Sequence, residues 1–439
     1  MSVSLIELRD HALCVRNANG LLAREPGYVC LANDTVVFGD AARLQARLHP
    51  RHCFNQFWAQ LNLDPLPLKH KQFRHAADLA HRQLDQLTRP LGLDDAVLGV
   101  PGSYSREQLA VLLGIARQCA FATVGLVDLA LLQAAASPAD DCILIDLQLH
   151  QTLLTHLRRV EGQLRRERVM AVPATGLVAL QDAWINLISD EFIRQSRFDP
   201  RRDAEAEQFL VDQLPGWIAA SQTHDEVLCE INLKGSVQQA RLTFEHFEQR
   251  VRGHFLRVAQ ALDELRNPGT VLHASASQLN LPGLSSHIHG LIALEEDAAL
   301  RACLQYLPHI RRAPDQLQLI TRLPLEGAAA RATPAPQPKV PTHVLFDHRA
   351  MLLPPGRLSL GKPPPTLASA RIVPLGRTAF SGAVTLLRSA RGVQLELHTS
   401  EPVRYNDAPA LNGQMLVVGD RLQLGRDGPS LHLIVVEGA

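Results

Sequence analysis

The chain has 439 residues, 46% of them hydrophobic and 20% charged, with Lys plus Arg equal to Asp plus Glu at 44 each. That length predicts two or three domains, and the composition excludes a disordered chain. The charge balance removes any global drive toward nucleic acid, and no apolar run reaches the roughly 20 residues that span a bilayer.

In chain order, Leu5–Leu8 reads as a strand, followed by an apolar Ala12–Val15, and Ala96–Val100 as a short strand ended by Pro101-Gly102. Ser105 and Gln108 form a capping-box pattern, and the helix behind them is apolar at Leu109, Leu112, Leu113 and Ala116. A strand at Phe121–Leu126, a helix at Leu129–Ala136 and a strand at Cys142–Leu147 follow. Gln151–Val160 and Gln163–Val172 flank the turn Glu161-Gly162 as a hairpin. Helices are expected at about 176–196, 203–220 and 244–266, a second hairpin at Val227–Leu233 and Ser236–Leu242, and a strand at Thr270–Ala274. Such alternation predicts an α/β fold with helices covering the sheet. Residues 326–342, EGAAARATPAPQPKVPT, are Ala/Pro-rich and read as a linker. Beyond it, short alternating stretches at His343–Phe346, Arg357–Leu360, Ala383–Leu387, Val393–Leu397, Leu422–Leu424 and Leu431–Val436 predict an all-β sandwich.

The N-terminus MSVSLIELRD lacks the basic and long apolar segments of a signal peptide, so a cytoplasmic protein is expected. The seven cysteines, Cys14, Cys30, Cys53, Cys119, Cys142, Cys229 and Cys303, are scattered without a C-x-x-C pair. They predict reduced, mostly buried thiols and no metal site.

The order of elements, with Val100-Pro101-Gly102-Ser103-Tyr104-Ser105-Arg106-Glu107-Gln108, Ile143-Leu144-Ile145-Asp146-Leu147, Leu242-Thr243-Phe244-Glu245 and Val271-Leu272-His273-Ala274-Ser275-Ala276-Ser277, resembles heat-shock chaperone ATPases of the actin and sugar-kinase superfamily. The resemblance implies an actin-like ATPase fold over 1–325, with two lobes of ribonuclease-H-like topology at about 1–140 and 141–325. Such domains cradle phosphates with D-L-G-T-T-x-S and D-L-G-G-G-T hairpins, whose glycines let backbone amides approach the ligand. Here the first turn reads Glu7-Leu8-Arg9-Asp10-His11-Ala12-Leu13 and the second Asp146-Leu147-Gln148-Leu149-His150-Gln151, without a glycine. The adenosine loop carries Ala274-Ser275 or Ser275-Ala276 where a glycine pair is expected. Side chains at Glu7, Arg9, Asp10, His11, Asp146, Gln148, His150, Ser275 and Ala276 would fill a degenerate cleft. No cofactor is therefore expected, with ATP and magnesium on rebuilt loops as the alternative.

His11 and His150 fall on facing loops, where with a carboxylate they would make a metal or acid–base pair, or else polar filling. Arg158, Arg159, Arg165, Arg166 and Arg168 crowd one hairpin without interleaved aromatics, which makes nucleic acid an unlikely partner. In the tail, Arg357-Leu358-Ser359-Leu360-Gly361-Lys362, Tyr405-Asn406-Asp407 and Leu416-Val417-Val418-Gly419-Asp420-Arg421-Leu422-Gln423-Leu424-Gly425 resemble the forkhead-associated family over 343–439. By that resemblance Lys362, Arg377 and Ser381 are the partner-binding candidates, with Lys362 in place of the family's Arg. The expectation is a pseudo-ATPase scaffold for protein–protein assembly, with an active ATPase and a phosphopeptide adaptor as rivals. The oligomeric state is left open.

Overall fold

The computed structural model describes residues 3–32, 35–233, 235–325, 341–346, 349–354, 356–361, 371–373, 380, 382–389, 392–406, 408–426 and 428–435. The chain divides into two compact units, Met1–Glu326 and Gly327–Ala439.

The first unit opens with an antiparallel meander of β1 (Val3–Arg9), β2 (Ala12–Asn17) and β3 (Gly20–Glu25). A small sheet follows, made of β4 (Val29–Cys30), β5 (Val37–Phe38) and β6 (Cys53–Phe54), with α1 (Gly39–Arg43) inserted. Next come α2 (Ala76–Thr88), β7 (Asp95–Val100), α3 (Arg106–Ala116), β8 (Ala122–Asp128) and α4 (Leu129–Ala135). Helix α3 starts where the capping box predicts: the Gln108 amide donates to Ser105 Oγ at 3.2 Å and the Ser105 amide to Gln108 Oε1 at 2.9 Å. Strand β7 lies parallel to β1 and β8 parallel to β7, giving the order β8-β7-β1-β2-β3.

The second half repeats this plan. Its meander is β9 (Asp141–Leu147), β10 (Gln151–Val160) and β11 (Gln163–Pro173). Helices α5 (Leu177–Ser196) and α6 (Ala204–Ser221), the hairpin β12 (Val227–Leu233) with β13 (Ser236–Leu242), and α7 (Phe244–Asp263) come next. Strand β14 (Val271–Ser275) runs parallel to β9. After α8 (Ala276–Leu279) and α9 (Leu284–His287), β15 (Leu291–Leu294) runs parallel to β14, so the order is β15-β14-β9-β10-β11. Past α10 (Ala298–Gln305) and α11 (Leu307–Ile310), β16 (Leu319–Ile320) joins the first sheet beside β8. Immediately afterwards β17 (Arg322–Pro324) joins the second sheet beside β11. One short segment thus ties both sheets together.

Strand periodicity sorts the core. On β1, Ile6 and Leu8 pack with Leu79 of α2 and Leu112 of α3, whereas Leu5 faces the other way. On β9, Ile143, Ile145 and Leu147 pack with Trp184 of α5 and Phe247 of α7, whereas Leu144 faces the other way. The two inner faces share a third core in which α4 packs on α10. Burying each Leu or Ile contributes roughly 1.5–3 kcal/mol. Among the described residues, no helix is long and apolar enough to cross a membrane.

The second unit consists, among its described residues, of strands without a helix. Strands β18 (His343–Phe346), β19 (Arg349–Leu352), β20 (Gly356–Gly361), β21 (Arg371–Val373), β22 (Ala383–Ser389) and β23 (Gly392–His398) come first. They are followed by β24 (Val403–Tyr405), β25 (Ala408–Pro409), β26 (Met415–Leu416), β27 (Arg421–Leu424) and β28 (Ser430–Ile434). The sheets β19-β18-β28-β27-β24-β25 and β21-β20-β22-β23-β26 share one core, from Leu358, Leu360, Val384 and Leu386 on one side to Leu422, Leu424, Leu431 and Leu433 on the other. Buried Asp420 fixes one corner, accepting from Asn406 Nδ2 at 2.8 Å, the Val417 amide at 2.7 Å and the Tyr405 hydroxyl at 3.1 Å. The Thr342 amide donates to Ile434 O at 3.0 Å, so this end of the expected linker is bonded into the second unit.

Candidate functional site

Strands β1 and β9 hold the same central place in their sheets, and each sends a carboxylate from its inner face. Glu7 lies on the Leu5 side of β1 and Asp146 on the Leu144 side of β9, two residues along in each case. Glu7 is 1% exposed, and a lone buried carboxylate is strongly disfavoured. It is held between two guanidiniums, with Arg9 Nη2 2.5 Å from Oε2 and Arg16 Nε 3.0 Å from Oε1. Burial works to lower the Arg9 pKa, but the charges of Glu7 and Asp146 more than offset it and carry it above the ordinary value.

The turn after β1 reaches across to the turn after β9. The Leu149 amide donates to Asp10 Oδ1 at 2.9 Å, joining residues 139 positions apart. Asp10 is buried, and its Oδ2 has no hydrogen-bond partner among the described residues. Burial pushes the Asp10 pKa up to about 7; the Leu149 amide opposes the shift, and the charge of Asp146 adds to it. Burial likewise lowers His11 to about 4, with Asp146 opposing and Arg9 and Arg24 adding, so His11 is neutral at physiological pH.

The second turn is boxed in by backbone. The amides of Leu177 and Val178, unpaired donors at the start of α5, bond to Gln148 O at 2.8 Å and Leu149 O at 2.9 Å. The Ala174 amide takes His150 O at 3.0 Å. Gly176 lies so close that a Cβ there would sit 2.5 Å from Gln148 O and from Gln151 N. Behind the first turn Gly27 does the same: its amide donates to Asp10 O at 2.7 Å, and a Cβ would lie 2.8 Å from that oxygen and from Trp58 Cδ1. Main chain at Gly27 and Gly176 thus packs directly against the two turns, an approach that a side chain there would block. The Leu149 side chain is buried in a cluster with Tyr28, Cys30, Ala32 and Ala42.

The third loop closes the arrangement. Ser275 caps α8, which begins at Ala276. Buried Gln278 accepts from the Leu147 amide at 3.2 Å and donates to Leu147 O at 3.0 Å, so its side chain copies a strand partner for β9. Gln148 Nε2 lies 3.4 Å from Asp146 Oδ2. Beside Arg9 and Asp146 lies a crevice of about 10 Å³, lined also by Pro101, Gly102, Gln133 and Thr155, among others. That is room for about one water.

Arg9, Asp10, His11 and Asp146 lie close enough to act on one another's charge, but the two histidines do not form a pair. His150 Nε2 lies 3.1 Å from Asn55 Oδ1 and 3.2 Å from Asn55 O, and burial lowers its pKa. No group of three or more His, Cys, Asp or Glu among the described residues is placed to hold a metal. The arginines of the β10–β11 hairpin are largely engaged within the chain. Arg158 pairs with Asp141 at 3.5 Å, Arg165 with Glu167, and Arg159 Nε donates to Ala139 O at 3.0 Å. Arg166 Nη1 lies 2.5 Å from Asp128, a fully buried carboxylate that also caps α4. This pair latches the second half of the unit to the first. A second latch lies at Arg47, whose amide donates to Gln208 Oε1 at 2.8 Å and whose side chain pairs with Asp182 and Glu207. Lys362, Arg377 and Ser381 lie outside the described residues.

Sequence reasoning passed over Gly27, Gly176, Gln278 and Arg16, because their roles depend on neighbours remote along the chain. Two larger hollows flank β6. One of about 140 Å³ is lined by Tyr28, Arg43, Arg47, Cys53, Asn55 and Asp182, among others. The other, about 490 Å³, shares Pro50, Cys53, Phe54 and Asn55 with it and extends along Phe57, Gln60 and Pro65. No protein-family model matches the chain, and no curated protein matches it.

Proposed function

We propose that the first unit is an actin- and heat-shock-chaperone-type ATPase domain that no longer takes nucleotide, and that the chain is a scaffold for protein assembly. On this reading the second unit is a forkhead-associated-like module. The contact between Asp10 and the Leu149 amide carries the proposal. An amide that a phosphate would need is already bonded to the Asp10 side chain. The amides of Leu177 and Val178 are spent on the same turn, and the crevice beside Arg9 and Asp146 holds about one water. The strand order shared by the two sheets supports a duplicated ribonuclease-H-like plan. The latches at Arg166 and Arg47 favour a rigid platform over a hinged clamp.

Calorimetry with Mg-ATP and Mg-ADP tests the reading. Nucleotide must first reorganise a filled crevice, so the expected dissociation constants are weaker than about 1 mM. Micromolar binding would overturn the proposal. Loss of that binding in Asp146→Ala would instead establish an ATP-binding protein with rebuilt loops.

A further inference from the structure

Six of the seven cysteines are buried, and Cys53 is the partly exposed one. Cys53 lies directly opposite Cys30 in the antiparallel pairing of β4 with β6. The next pair along, Leu31 with His52, is hydrogen-bonded, the Leu31 amide donating to His52 O at 2.9 Å. Hydrogen-bonded and non-hydrogen-bonded pairs alternate in an antiparallel ladder, so Cys30 and Cys53 form a non-hydrogen-bonded pair. Cα atoms in such pairs lie about 4.5 Å apart, with both side chains on one face and close together. That separation falls within the range a disulfide spans, about 4.4–6.8 Å. The Cys53 thiol donates to Gln45 O at 3.5 Å, and the neighbouring Cys30 thiol acts on its proton affinity. Cys53 also lines both hollows beside β6, which gives a small reagent a route to it.

We propose that Cys30 and Cys53 are a modification site: a cross-strand dithiol that a small disulfide of the glutathione type converts to an intramolecular bridge. Cys53 loses its proton, and its Sγ attacks one sulfur of the small disulfide. The S–S bond breaks, one small thiolate leaves, and a mixed disulfide forms. Cys30 Sγ, deprotonated in turn, attacks Cys53 Sγ and displaces the second small thiolate. Two protein thiols are oxidised, one small disulfide is reduced to two thiols, and the two protons end on those thiols. Burial and the Cys30 thiol raise the Cys53 pKa, so the thiolate is scarce and the exchange is slow at neutral pH.

The bridge would staple the ends of segment 31–52, which carries α1 and the Arg43 and Arg47 side chains. Arg47 binds Asp182, Glu207 and Gln208 in the second half of the unit. Oxidation would therefore tighten a latch between the halves.

The test uses the full chain, incubated in the folded state with excess oxidised glutathione, alkylated, and mapped as non-reduced peptides. In the wild type the expected product is a Cys30–Cys53 bridge with no retained glutathione, and a raised melting temperature that reductant reverses. In Cys30→Ser the resolving thiol is missing, so Cys53 should accumulate the glutathione adduct. A stable adduct on wild-type Cys53 beside a free Cys30 would overturn the proposal. So would bridging of Cys53 to another cysteine, or failure of Cys53 to react in both proteins.

Discussion

Asp10→Asn separates the charge of the crevice carboxylate from its shape. The asparagine oxygen can still accept the Leu149 amide, so the contact survives while the ionisable group is removed. The Asp10 pKa rises from an ordinary 3.8 to about 7 in the fold. A carboxyl whose folded pKa is raised holds its proton more tightly in the folded state. Its contribution to stability is fully present below about pH 4 and is lost as pH rises toward 7. The loss is on the order of 4 kcal/mol at most, because each tenfold difference in proton affinity between the folded and unfolded chain is worth about 1.4 kcal/mol. Wild type and variant should thus be nearly matched at pH 4, and the variant should gain steadily up to pH 8. Urea denaturation followed by tryptophan fluorescence is the assay, because Trp58, Trp184 and Trp217 all lie in the first unit. An equal difference at both pH values would refute the reasoning. A variant less stable than wild type at pH 8 would show that the folded protein uses the Asp10 charge.

Gly176→Ala should destabilise the first unit by about 1–3 kcal/mol, since its Cβ meets the main chain of the second turn. An unchanged urea midpoint would mean that the start of α5 can retreat from that turn. Arg166→Met leaves Asp128 buried without its cation and should lower stability by about 3–5 kcal/mol, and adding Asp128→Asn should recover most of it. Additive losses in that double-mutant cycle would dissolve the latch.

Local chemistry alone determined much of this protein. The Ser105–Gln108 box, the apolar face of α3, the turn at Glu161-Gly162 and the pairing of β12 with β13 lie where composition and period place them, because their partners are within a few residues. The absence of glycine from both turns was equally plain, and with it the expectation of a crowded crevice. Two-residue strands such as β4, β5 and β6 carry no period to read, so the small sheet and the Cys30–Cys53 pairing went unseen. The repeated order of the two sheets rests on parallel pairings between strands separated by whole helices, which only tertiary packing selects. The contact between the two turns was decided the same way. Asp10 and Leu149 meet across 139 residues, and Gly27 and Gly176 matter because of what stands in front of them in space. A residue's propensity is encoded beside it, but the identity of the group that fills its missing volume is settled only when the sheets close on each other.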